Sequence, residues 1–187
     1  AVAHEDDVTA DTLATQLTVA DEPVLLALLS GANFDEQWWA MRALAHCGSA
    51  AAIESIVQFL RSDNDELRLV AAKALGALGQ RHGAAINPHL PALIHCFTDP
   101  AGFLRRVAAE AVAQCGNGAI PLLVDVLRYR NDQNARTYAA YALAQIATPE
   151  AAPALYRCLN DQNYLVHTYA HEALEKMGLL ENILVQL

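Results

Sequence analysis

Three groupings of residues could carry chemistry. His167 and His171 stand four apart, one helical turn, with Glu172 and Glu175 beside them, which is part of a metal-ligand set. Two imidazoles without a third defined ligand do not close a zinc site, so they read as a His in a structural position plus an exposed His. Cys47, Cys96, Cys115 and Cys158 form no C-x-x-C pair, and His46-Cys47 and His95-Cys96 fall in different segments. The thiols therefore read as reduced core residues of a cytoplasmic protein. No G-x-S-x-G, P-loop, G-x-G-x-x-G or H-E-x-x-H motif occurs. A non-catalytic chain with no cofactor and no metal is the expectation. The third grouping is aromatic and cationic: Trp38, Trp39, Arg42, Arg106, Tyr138, Tyr141 and Tyr169. That is recognition chemistry, the residue types that anchor interfaces.

Charge narrows what could be recognised. The net charge is −9, and residues 1–36 carry eight acids and no Lys or Arg. A chain that neutralised phosphates would cluster its bases, so nucleic acid is not expected as a partner. Apolar runs such as Val24 to Leu29 fall far short of the about 20 residues needed to span a bilayer, so no membrane segment is expected either. The chain begins Ala-Val-Ala-His without Met, as a processed or excised piece of a longer protein would.

The elements that must position these residues follow from composition and repetition. The 187 residues include 37 Ala and 27 Leu against 6% aromatic residues, which favours helices and excludes an all-β sandwich. The segment from Leu67-Arg68 to Gly79 recurs from Leu104-Arg105 to Gly116, from Ala135-Arg136 to Ala147, from Val166-His167 to Gly178 and from Glu36-Gln37 to Gly48. The spacings between the closing residues are 31, 37, 31 and 31. The extra six residues lie in the Arg81 to Asn87 region, which reads as a loop between units.

Each unit holds two helical patterns. The first places apolar residues at i, i+3, i+4 and i+7, as in Ile53, Ile56, Val57 and Leu60 or Leu90, Leu93, Ile94 and Phe97. The second keeps Ala at matched positions (Ala40, Ala71, Ala108, Ala139, Ala170), with Leu44, Leu75, Val112, Leu143 and Leu174 filling the core. Glycine after the second helix suits a left-handed stop.

These units resemble HEAT repeats, specifically the short type associated with phycobilisome lyases, over about residues 21–179. The resemblance implies an all-α, right-handed α-solenoid of about five helix pairs, preceded by an acidic segment with a degenerate capping helix (1–20) and followed by a truncated capping helix (180–187). It also implies an Arg near the start of each second helix, paired with an Asp in the preceding turn. Arg68, Arg105 and Arg136 hold that place, beside Asp63 or Asp65, Asp99 and Asp132, while Gln37 and His167 replace it at the ends. HEAT-repeat hydroxylases carry His-Glu pairs at one point of several second helices. Here His171-Glu172 matches Met41-Arg42, Ala72-Lys73, Ala109-Glu110 and Ala140-Tyr141, so that ligand set is absent.

With second helices on the concave side, the residues off the Ala/Leu stripe are Trp38, Met41 and Arg42; Leu69 and Lys73; Arg106 and Glu110; Thr137 and Tyr141; Thr168 and His171. The expected function is a protein-binding scaffold or adaptor using this face, with a partner of unknown identity. The alternative is a phycobilin lyase-type subunit holding a tetrapyrrole or its acceptor protein. Residues 180–187, ending Ile183-Leu184-Val185-Gln186-Leu187, are rich in aliphatic groups and predict end-to-end association.

Overall fold

Leu/Ile stripes and Ala stripes alternate along this chain, and a helix of one kind can bury its face only against a helix of the other. The computed structural model describes residues 12–14 and 16–180. It forms five consecutive helix pairs: α1 (Glu22–Leu29) with α2 (Phe34–Cys47), α3 (Ala52–Val57) with α4 (Asp65–Arg81), α5 (Leu90–His95) with α6 (Gly102–Gln114), α7 (Ile120–Tyr129) with α8 (Gln133–Ile146), and α9 (Ala152–Cys158) with α10 (Tyr164–Lys176). No strand occurs among the described residues. Successive second helices pack on one another, α2 on α4, α4 on α6, α6 on α8 and α8 on α10, which is the neighbour-only stacking of an α-solenoid. Residues 181–187, on which the expectation of end-to-end association rests, lie outside the described residues.

The core follows the two stripes. Ala40, Ala71, Ala108, Ala139 and Ala170 are all fully buried, as are Leu44, Leu75, Val112, Leu143 and Leu174 behind them. From the first helices come Ile53, Ile56, Leu90, Leu93, Phe97 and Leu123, equally buried. Each such Leu or Ile contributes about 1.5–3 kcal/mol by leaving water. Alanine at the contacts lets neighbouring second helices pack closely, while Leu and Ile fill the space between first and second helices.

Helix starts repeat as regularly as cores. Asn33, Asn64, Asp132 and Asn163 precede α2, α4, α8 and α10 by one residue, and their side chains accept from backbone N–H groups of the first turn, at 2.8 Å for Asn64 to Glu66 and for Asp132 to Ala135. Pro23, Pro91, Pro121 and Pro153 occupy the first turns of α1, α5, α7 and α9, where a missing N–H is harmless.

Helix ends depart from expectation. Gly116 (φ 69°) and Gly178 (φ 67°) are left-handed stops, and Ala147 adopts the same region at φ 43° without being glycine. Gly48 has an ordinary φ of −63°, and α4 runs through Gly79 to Arg81. Gly79 is needed for space instead, since a Cβ there would lie 2.4 Å from the Cys115 sulfur. The six-residue insertion is likewise helical rather than a loop. A turn at Gly83–Ile86 drives Ile86 fully into the core, and Arg81 donates to the Ala45 carbonyl (2.8 Å) and the His46 carbonyl (2.6 Å) at the end of α2. A guanidinium at a helix C-terminus satisfies orphan carbonyls and complements the dipole.

The arginine ladder exists in a different register. Gln37, Arg68 and Arg105 each donate to the carbonyl six residues earlier, at 2.7, 2.8 and 2.6 Å. Arg68 then reaches into the next unit, its Nε 3.1 Å from Asp99, while also pairing with Asp65 at 2.6 Å. Arg136 reaches Asp161 of the next unit in the same way, whereas Asp132, its expected partner, caps α8 instead. Asp99 gives Arg105 only its main-chain carbonyl. The matching place in the unit after Arg105 holds Arg130, so no carboxylate can complete that rung. The Nε atoms of Arg68 and Arg105 are both buried without a hydrogen bond, and the Arg105 guanidinium rests 6.0 Å from the Tyr138 ring centre.

Candidate functional site

On each second helix, two columns four residues apart share one side and reach the outer face of that layer. The first comprises Trp38, Leu69, Arg106, Thr137 and Thr168; the second Arg42, Lys73, Glu110, Tyr141 and Glu172. Trp38, Leu69 and Arg42 are half-buried and Lys73 is exposed. Arg106 is exposed, with Glu110 and Tyr141 half-buried beside it.

Three expected members of the face change role. Met41 is fully buried, because its column is otherwise Ala72, Ala109 and Ala140, pressed against the neighbouring helix. Methionine there fills space that alanine leaves in the other units. Thr137 is buried and its hydroxyl accepts from Asn163 Nδ2 at 3.1 Å, stitching α8 to α10. His171 shares the Met41 column and is exposed at the end of the described stack; Glu172, which the sequence reading left off this face, occupies the outer column. Thr168 stays half-buried with its hydroxyl donating to the Tyr164 carbonyl at 2.8 Å.

Between α2 and α4 the face opens into a cleft of about 230 Å³, lined by Trp38, Arg42, Ala45 and His46 on one side and Leu69, Val70, Lys73 and Ala74 on the other. Its floor is apolar, and among the described residues its lining contains no carboxylate. Trp38 and Trp39 meet edge to face at 4.9 Å, and the Arg42 guanidinium lies 4.7 and 5.5 Å from their ring centres. Two aromatic faces hold that cation in place by its attraction to their π-clouds.

Further along, the same columns form a closed network. Arg106 Nε donates to Glu110 at 3.0 Å, the Tyr141 hydroxyl donates to the same carboxylate at 3.2 Å, and Tyr141 packs against Tyr169 at 5.2 Å. Partial burial and the Glu110 charge both raise the Tyr141 phenol above its ordinary pKa, so it stays a donor at neutral pH.

The cysteines take no part. All four are buried and free, and burial pushes Cys96, Cys115 and Cys158 up to about 11, leaving neutral thiols rather than nucleophiles. Among the described residues no group of three His, Cys, Asp or Glu is placed to hold a metal ion. No single described helix is long and apolar enough to cross a membrane.

Stacked helix pairs with a shared core and an open inner face define the α-solenoid repeat proteins. The family model of HEAT repeats matches residues 22–113 and 120–183, and the chain belongs to that family. No curated protein matches it. Among solved structures it is similar to the archaeal HEAT-like repeats protein from Thermococcus onnurineus NA1, with a TM-score of 0.62, 13% identity, and coverage of 90% of this chain and 74% of that one. A computationally designed armadillo repeat protein for modular peptide recognition gives a TM-score of 0.56 at 20% identity, covering 89% and 90%. A designed armadillo repeat protein in complex with the peptide (KR)4 gives 0.51 at 22%, covering 81% and 79%. At these identities the likeness is one of fold.

Proposed function

We propose that this chain is a non-catalytic scaffold that binds a protein segment along the outer face of its second-helix layer. The observation that carries the reading is the cleft between α2 and α4, where Trp38 and Leu69 pack on the core yet keep part of their surface open beside Arg42 and Lys73. Aromatic and arginine anchors above an apolar floor are the residues from which binding hot spots are built. The designed neighbours, one made for modular peptide recognition and one holding a peptide, support a peptide-sized occupant. So do the dimensions. A cleft of about 230 Å³ is smaller than the roughly 300–1,000 Å³ of sites that enclose small-molecule ligands, and it suits a side chain of an extended segment better than a tetrapyrrole. The phycobilin lyase alternative therefore has no observation in its favour on this face. Four buried, unoxidised thiols suit a reducing compartment such as the cytoplasm.

Selection of a displayed random-peptide library on the immobilised chain tests the reading. Enriched peptides are expected to lose binding when Trp38→Ala is combined with Tyr141→Ala, with the helical circular dichroism of the variant preserved. Absence of enrichment, or binding that survives the double substitution in the folded variant, contradicts it.

A further inference from the structure

We propose that two copies of this chain pair antiparallel along the edge formed by the turns between first and second helices, with Phe103 of each copy meeting at a twofold axis. This edge is separate from the outer face of the second-helix layer, so the proposal does not rest on the reading of that face.

The edge is built from matched positions. The second residue of each second helix is exposed in all five units, giving the column Asp35, Glu66, Phe103, Asn134 and Leu165. The turns before these helices stack in the same order, since each unit packs on its neighbours. Along that edge the charge is lopsided. Units one and two present the exposed acids Asp35, Glu36, Asp63 and Glu66 against one exposed base, Arg61. Unit four presents Arg128 and Arg130, and the turn acids of units four and five are already engaged, Asp132 in capping α8 and Asp161 in pairing with Arg136. The side chains of Asp63, Glu66 and Arg130 make no hydrogen bond or ion pair among the described residues.

Exposed apolar surface follows the same division. Of the seven large hydrophobic residues exposed among the described residues, Phe103, Tyr129, Tyr164 and Leu165 lie on this edge, all in units three to five. One exposed Phe is ordinary, but aromatic rings gathered beside arginines have the composition of an interface core.

Such an edge carries both halves of its own match. A twofold axis through unit three, the middle of five, sets unit two against unit four and unit one against unit five, and it does so twice. Asp63 and Glu66 then face Arg130 and Tyr129, the Tyr164 hydroxyl can donate to Asp35 or Glu36, and two Phe103 rings pack at the centre. A parallel pairing would set acid on acid in units one and two and base on base in unit four, a costly juxtaposition of like charges.

Sedimentation equilibrium of the full chain tests the pairing. A monomer–dimer equilibrium is expected on the order of 100 μM, because a strip one turn wide falls at the small end of specific interfaces, and it should weaken as salt rises. Phe103→Ser should weaken it by about tenfold or more, as loss of a central aromatic anchor does. Arg130→Glu or Asp63→Lys alone should weaken it by about fivefold, and the two together should return to within about twofold of the original, since each reversed charge meets the other across the axis. All three residues are exposed, and helical circular dichroism reports that the fold is kept. Leu184→Asp with Leu187→Asp should leave the dimer unchanged. A strict monomer at low salt up to about 1 mM overturns the proposal. So does a dimer indifferent to Phe103→Ser, a double reversal no stronger than either single one, or a dimer lost only with Leu184→Asp and Leu187→Asp.

Discussion

The α2–α4 region and the α6–α8 region use the same two columns of one repeat and arrive at opposite states. Between α2 and α4, Trp38, Arg42, Leu69 and Lys73 line an open cleft with an apolar floor. Between α6 and α8, Arg106, Glu110 and Tyr141 engage one another in a closed network. The ladder differs between units as well. The ladder rung from α4 to the next unit, Arg68 to Asp99, carries a carboxylate, whereas Arg105, at the same position one unit on, lacks one because Arg130 stands in the matching place. Identical repeat positions thus give an open cleft in one place and a closed side-chain network in another. Register alone does not decide which; the side chains that engage one another across units do.

The largest expected effect comes from breaking the joint between the two regions. A Cβ on Gly76 would lie 2.8 Å from Ala111 Cα, so Gly76→Val must push α4 away from α6. A loss of about 3 kcal/mol is expected, read as a lower midpoint in urea denaturation. The ladder sharpens the contrast next. Arg68→Ala removes a largely buried pair and should cost about 2 kcal/mol, against about 1 kcal/mol for Arg105→Ala, which forfeits carbonyl bonds only. Arg130→Asp should complete the missing rung and raise stability by about 0.5–1 kcal/mol, a gain that disappears in the Arg105→Ala background. Smallest is the effect on the face itself. Glu110→Gln removes the charge that Arg106 and Tyr141 share on an exposed surface and should leave the urea midpoint almost unchanged.

Much of this was legible beforehand. The 31-residue spacing and the Ala and Leu columns located the helix pairs and their core, because each unit repeats its own internal faces. What escaped depends on neighbours. Asp161 as the partner of Arg136, Ile86 against Gly79 and Arg81 on the end of α2 all join residues of different units, which spacing within a unit does not reveal. Met41 has a side chain of the kind that suits an exposed face, but the buried alanines at 72, 109 and 140 mark its column as pressed between helices. The capping residues Asn33, Asn64, Asp132 and Asn163 are legible as a recurring Asn or Asp before four of the five second helices, α6 starting after Ala101 instead.

The outer face of the second-helix layer as the binding surface is the central claim, and amide NMR shifts during titration with a peptide enriched from the displayed library test it most directly. The account predicts saturable shifts concentrated at Trp38, Arg42, Leu69, Val70 and Lys73, fading beyond α6. Shifts centred instead on the first-helix cleft of about 280 Å³ around Ile94, Leu122 and Tyr129 would contradict it.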